Sequence, residues 1–153
     1  MLFRDLVVVC CVAGLVVAVG CSDDDSSTGP TVETTEYEGA IYDPVMDAAF
    51  AAQGLSYDST RFVYSLSSDG NYQEEVYLMA WTTVEVGNWA ADGATYTFTP
   101  VSDSMFNPQT MSMVEAPTKA AYTATEGADG SLTIENYTNI DDQRSLGTLV
   151  LRK

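Results

Sequence analysis

The sequence predicts an all-β domain: an antiparallel meander of about eight short strands forming a small barrel, with one short N-terminal helix. Three observations carry this reading. Apolar and polar side chains alternate with a period of two, as in Phe62, Tyr64 and Leu66 against Val63, Ser65 and Ser67, and in Tyr96 and Phe98 against Thr95, Thr97 and Thr99. Asp-Gly pairs at 69–70, 92–93 and 129–130 punctuate these runs, and glycine accepts the positive φ that tight hairpins demand. The strand candidates also recur at short, even intervals, and closing such a set into a barrel removes exposed edges.

Taken in order, residues 1–20 read as an address rather than as part of the fold. Arg4 precedes an uninterrupted apolar run from Leu6 to Val19. That run suits a signal-peptide core and falls short of the ~20 residues needed to span a bilayer. Ala18-Val19-Gly20-Cys21 then resembles the lipobox of bacterial lipoproteins. The resemblance implies cleavage before Cys21 and acyl chains on its thiol, with two chains giving a stable tether. Residues 21–36, the lipidated cysteine and SDDDSSTGPTVETTE, form a flexible acidic tether without apolar periodicity. As a coil it would reach roughly 20 Å. Its Ser22-Asp23-Asp24-Asp25 cluster resembles the export and sorting signals of outer-membrane lipoproteins, which places the chain at the cell envelope and leaves open which face it occupies.

The barrel-like domain is expected over residues 37–153. Asp43 can cap a helix that begins at Pro44 and stops before Gly54, with Val45, Ala48, Ala49 and Ala52 on one stripe. Besides Phe62–Ser67 and Thr95–Thr99, strands are expected at Tyr72–Ala80, Thr83–Trp89, Thr110–Val114, Ala120–Thr125, Leu132–Tyr137 and Leu146–Leu151. Within this stretch, residues 62–72 (FVYSLSSDGNY) and 87–99 (GNWAADGATYTFT) are similar to bacterial lipocalin-like lipoprotein domains, which repeat F-x-x-DG-x-Y and G-x-W-x-x-DG themes. The resemblance covers about residues 60–100 and implies a lipocalin-like barrel.

Composition narrows the function classes. The 153 residues carry 22 acids against 6 bases, a net charge of −16, and no histidine. Such a surface repels phosphate backbones, so nucleic acid is not an expected partner, and a charge-steered partner should be basic. Without histidine, neither a Ser-His-Asp machine nor a His-bearing zinc site can be built. Cys10, Cys11 and Cys21 leave one cysteine after cleavage and no disulfide. No catalytic set, metal site or cofactor is expected, and the protein is read as a non-enzyme.

Local constellations add little. Glu74 and Glu75, as strand neighbours, point to opposite faces and are expected to be solvated, although Glu74 shares the face of Tyr72, Val76 and Leu78. Asp141-Asp142 matches no calcium loop. The aromatic residues Trp81, Trp89, Tyr72, Tyr96 and Phe98 are the candidate ligand-binding set, and core packing would use the same rings. The expected function is a lipid-anchored envelope lipoprotein binding a small apolar ligand or an envelope protein. The alternatives are an acidic inhibitor of a cationic envelope-attacking enzyme such as lysozyme, or a purely structural surface lipoprotein.

Overall fold

The computed structural model describes residues 31–78, 81–107, 109–138 and 144–153; Cys21, the signal segment and Asp141-Asp142 lie outside the described residues. Nine strands and one helix follow in order: β1 (Thr34–Ile41), α1 (Pro44–Ala51), β2 (Thr60–Ser67), β3 (Asn71–Leu78), β4 (Trp81–Asp92), β5 (Thr95–Asn107), β6 (Ser112–Ala116), β7 (Tyr122–Glu126), β8 (Leu132–Thr138) and β9 (Ser145–Leu151). All pairings are antiparallel, in the spatial order β1-β2-β3-β4-β5-β7-β8-β9, with β6 lying on the far half of β5. Glu38 and Arg152 exchange backbone hydrogen bonds of 2.7 Å in each direction, so β1 meets β9 and the sheet nearly closes. The expected all-β barrel is the observed fold.

The turns follow the sequence. Gly70, Gly93 and Gly130 all have positive φ, at the three Asp-Gly positions. Inside the barrel, Phe62, Tyr64, Phe98, Leu132, Leu149 and Leu151 are wholly buried. Phe98 sits at the centre of a ring cluster, 5.0 Å from Tyr72, 5.6 Å from Tyr64 and 5.2 Å from Tyr122 between centroids. Rings of this size remove large apolar areas from water and add edge-on and stacked contacts.

Two sequence readings change. The last three residues of the expected tether, Thr34–Glu36, already belong to β1, whose Thr34 pairs with Ser67. Hydrogen bonding along β2 orders this polar stretch where its own side chains could not. The helix is capped as expected, with Asp43 Oδ1 accepting from the Val45 N–H at 2.9 Å. Its alanine stripe faces outward, however. Val45, Ala48, Ala49 and Ala52 are exposed, while Met46 and Phe50, one turn apart, lean on the domain and Phe50 stacks on Tyr57.

Candidate functional site

A single row of residues crosses the sheet through its middle. Tyr37, Tyr64, Glu74, Glu85, Asp103 and Ala116 are successive cross-strand partners on β1 to β6, and all six are buried. Directly opposed residues share a face, so three carboxyl groups stand side by side inside the barrel. Glu74 was expected in solvent and is instead completely buried. It lies on the face of Tyr72 and Val76, as strand parity requires, and its burial is offset by partners brought from elsewhere in the chain.

Two bulges complete the set. Val86 pairs with Ser102, whereas Gly87 pairs with Pro100, so Val101 is an extra residue on β5 and lies 65% exposed. That insertion turns Asp103 inward, where unbroken alternation from Phe98 would aim it at solvent. Pro100 lacks the N–H that an unbroken ladder would use. Gly87 accommodates the close approach, since a Cβ there would stand 2.3 Å from the Thr99 carbonyl oxygen. On β8, Ile134 pairs with Leu149 and Tyr137 with Gly147, and Asn136 takes a φ of 53°. The same device turns Tyr137 inward.

Lys119, on the connection between β6 and β7, supplies the positive charge. Its Nζ lies 2.5 Å from Glu74 Oε2, 3.0 Å from Glu85 Oε2 and 3.1 Å from the Tyr137 hydroxyl. The hydroxyls of Tyr64 and Tyr137 donate to Glu74 Oε1 at 2.7 and 2.6 Å. Those of Tyr72 and Tyr122 donate to Glu85 Oε1 at 2.6 and 2.8 Å. Asp103 Oδ2 accepts the Lys119 backbone N–H at 2.9 Å, which fixes the connection that carries the lysine. Among the described residues, two buried side-chain oxygens receive no hydrogen bond, Asp103 Oδ1 and Glu85 Oε2. The latter is near enough to Lys119 for an ion pair, but not in hydrogen-bond geometry.

Three acids facing one base make the cluster negative when all are ionised. Burial raises the Glu74 carboxyl above its usual range, against the pull of Lys119 and with the push of Glu85. Burial likewise raises Asp103. For Lys119, burial works against the charge, but Glu74 and Glu85 together outweigh it and hold the ammonium above its ordinary value. Burial pushes the hydroxyls of Tyr64, Tyr72, Tyr122 and Tyr137 far up, so they act as fixed donors. A lysine held as ammonium is no nucleophile or base, since those roles need its pKa lowered. The arrangement can hold charge and donate hydrogen bonds.

Two openings reach this cluster. A cavity of about 90 Å³ lies at the end of the barrel beside α1, with Glu74, Glu85, Asp103 and Lys119 on its floor. Its walls are largely apolar, from Met46, Phe62, Val76, Met105, Phe106 and Leu146. Asp43, tied to Arg144 at 2.5 Å, stands at its edge. A second space of about 140 Å³ lies between the β6–β7 connection and β8, where only two residue pairs join β7 to β8. Lys119 and Tyr137 line both.

The sequence-chosen aromatic set is divided. Phe98 and Tyr72 fill the core, and Trp89 stacks on Tyr96 at 5.6 Å while its Nε1–H donates to the Ser67 carbonyl. None of these four lines the cavity beside α1. The Trp81 side chain lies outside the described residues. The residues that do line the cavity floor were absent from that set. The available signals were the face shared by Glu74 with Tyr72, and the isolation of Lys119, the single base between Arg61 and Arg144.

Compared with protein-family models, curated proteins and solved structures, the chain matches none. Among the described residues, no group of three or more acidic or cysteine side chains is placed to hold a metal ion, and no helix is long and apolar enough to cross a membrane.

Proposed function

We propose that the chain is a non-enzymatic binding protein of the bacterial cell envelope, held at the outer membrane by acyl chains on Cys21, whose barrel takes a small ligand at its α1 end. The anchor rests on the sequence alone, on the apolar run from Leu6 to Val19 and the small residues before Cys21. The binding reading rests on one observation, the cavity of about 90 Å³ with an acidic floor and apolar walls. Drug-sized ligands occupy about 300–1,000 Å³. A ligand here has only a few non-hydrogen atoms, and a long acyl chain is too large. The resemblance to lipocalin-like lipoproteins agrees with a ligand at a barrel mouth.

Native mass spectrometry of the full chain, gently extracted from its own envelope, tests both halves separately. The expected result is a diacylglyceryl mass on Cys21, lost in Cys21→Ser, together with a co-purifying small molecule. An intact Gly20–Cys21 bond would remove the anchor. A bare protein mass would count against the ligand.

A second reading has its own support. Between Arg61 and Arg144 the single base is Lys119, whose side chain is only 7% exposed, whereas Asp69, Asp92, Glu115 and Glu135 are exposed. Arg61 pairs with Glu38, and Lys153 lies over the Tyr37 ring near the β1–β9 seam. The wall away from that seam would attract a basic protein such as lysozyme, with affinity falling steeply as salt is added. Absence of binding at low ionic strength would end this reading.

A further inference from the structure

The cavity beside α1 holds unmatched charge as well as space. Its floor presents three carboxyl groups to one ammonium, and Lys119 is already engaged with Glu74, Glu85 and Tyr137. Glu74 receives two tyrosine hydroxyls and the lysine, and Glu85 receives two tyrosine hydroxyls beside its ion pair. Asp103 receives one backbone N–H and nothing on Oδ1, although it is only 2% exposed. A buried carboxylate oxygen left without a donor is costly, on the order of 1–3 kcal/mol or more. The row register sets Asp103 beside Glu85, the two carboxyls within hydrogen-bonding reach of each other, and Glu85 Oε2 likewise receives no donor. Both residues line the cavity, so a donor entering it meets this pair first.

The walls define the rest of that group. An inorganic cation would want oxygen ligands around it, and the walls above the floor offer mainly methionine, phenylalanine, valine and leucine side chains. A neutral apolar molecule would leave Asp103 unserved. An anion would be repelled. We infer that the cavity beside α1 is a site for a small primary alkylammonium, its charged head donating to Asp103 Oδ1 and Glu85 Oε2 and its short apolar body lying against Phe62, Val76, Met105 and Leu146. This rests on the small-ligand reading above and adds the chemical class. Such a head can come from a free amine or from the lysine side chain of a polypeptide.

Titration of the full chain in detergent with n-butylammonium tests the inference, with n-butanol and butyrate as neutral and anionic partners of the same length. Asp and Glu side-chain carboxyl carbons are followed by NMR. The expected result is saturable binding of n-butylammonium with a shift at the Asp103 carboxyl. Its affinity should exceed that of n-butanol by about tenfold or more, the range for a charge-assisted hydrogen bond. Asp103→Asn should erase most of that preference. Should this variant not fold, Met105→Phe, which narrows the cavity and leaves the acids in place, should weaken binding while the wild-type Asp103 shift still reports the site. Displacement by tri-lysine would identify a polypeptide source, and its failure to displace would identify a free amine. Equal binding of butanol and butylammonium, or preference for butyrate, overturns the cation and keeps a small-ligand site. An Asp103 resonance that stays fixed in all three titrations means that a proton shared with Glu85 satisfies the pair, and it overturns the inference.

Discussion

Around Trp89, Tyr96 and Phe98 the barrel is packed with rings and aliphatic side chains, whereas around Glu74, Glu85 and Asp103 the same sheet encloses charge. The first region follows strict alternation, and its stability comes from area removed from water. In the second, two one-residue insertions break the alternation and bring Asp103 and Tyr137 to the inside. Burial there is costly unless every partner is present. The apolar region can lose a methylene and remain a barrel, while the charged region depends on a cation delivered by a connection outside the ladder. Function is to be sought in the charged region, because packing alone does not explain three buried acids around one lysine.

The largest effect expected from this contrast is alkaline. Lys119 is raised above 10.5 in the fold, so its contribution is complete below that value and is lost as pH climbs through the folded value. Tyr64, Tyr72, Tyr122 and Tyr137 are raised above 10.0 and act in the same direction. Each group that loses its proton in the unfolded chain but keeps it in the fold removes about 1.4 kcal/mol per pH unit. Stability measured by denaturant titration should therefore collapse within a unit or two above pH 10.5. A flat profile to pH 12 would mean that the charged region contributes little.

Next in size, Lys119→Met leaves Glu74 and Glu85 buried without their cation and should cost about 3–5 kcal/mol. Leu149→Ala, a wholly buried side chain in the apolar region, should cost about 2–4 kcal/mol by opening a cavity. The two are told apart by pH. Acidification should recover part of the Lys119→Met loss by protonating the carboxyls, and should leave the Leu149→Ala loss unchanged. Identical pH behaviour in the two variants would erase the distinction between the regions.

Much of the apolar region was legible in the sequence. Phe62-x-Tyr64-x-Leu66 and Tyr96-x-Phe98 declare their faces by parity, and the Asp-Gly turns mark where the chain reverses. Strand β1 was hidden because Thr34–Glu36 continues a polar stretch, and only pairing with β2 makes it a strand. The charged region was hidden for a different reason. A bulge adds one residue without disturbing the local pattern: Pro100 beside Val101 is a sign of the first, but it does not say which way Asp103 turns, and nothing near Asn136 announces that Tyr137 changes face. Lys119 lies on a connection without periodicity, and a cation's destination there is set by distant carboxyls. The candidate rings Tyr72 and Phe98 were found, but as core, because ring packing and ligand contact draw on the same residue types.

The smallest effect lies on the acid side and has an unusual sign. Most carboxyls in folded proteins are depressed, and stability falls from mildly acid pH downward. Here Glu74 and Asp103 are raised above 4.5 and 3.8 by burial. Their contribution is fully present below those values and is lost as pH rises through the folded values, so acidification from neutrality should stabilise the barrel slightly. Asp43 opposes this trend, because the Arg144 hydrogen bonds hold it below 3.8, and its contribution disappears as pH falls through the folded value. The stability maximum should accordingly lie on the acid side of neutrality. In Asp103→Asn the rise toward that maximum should shrink, and in Arg144→Gln the decline beyond it should flatten. A wild-type maximum at pH 7 or above would show that Glu74 and Asp103 are already paired as carboxylates, leaving no charge for a ligand to neutralise.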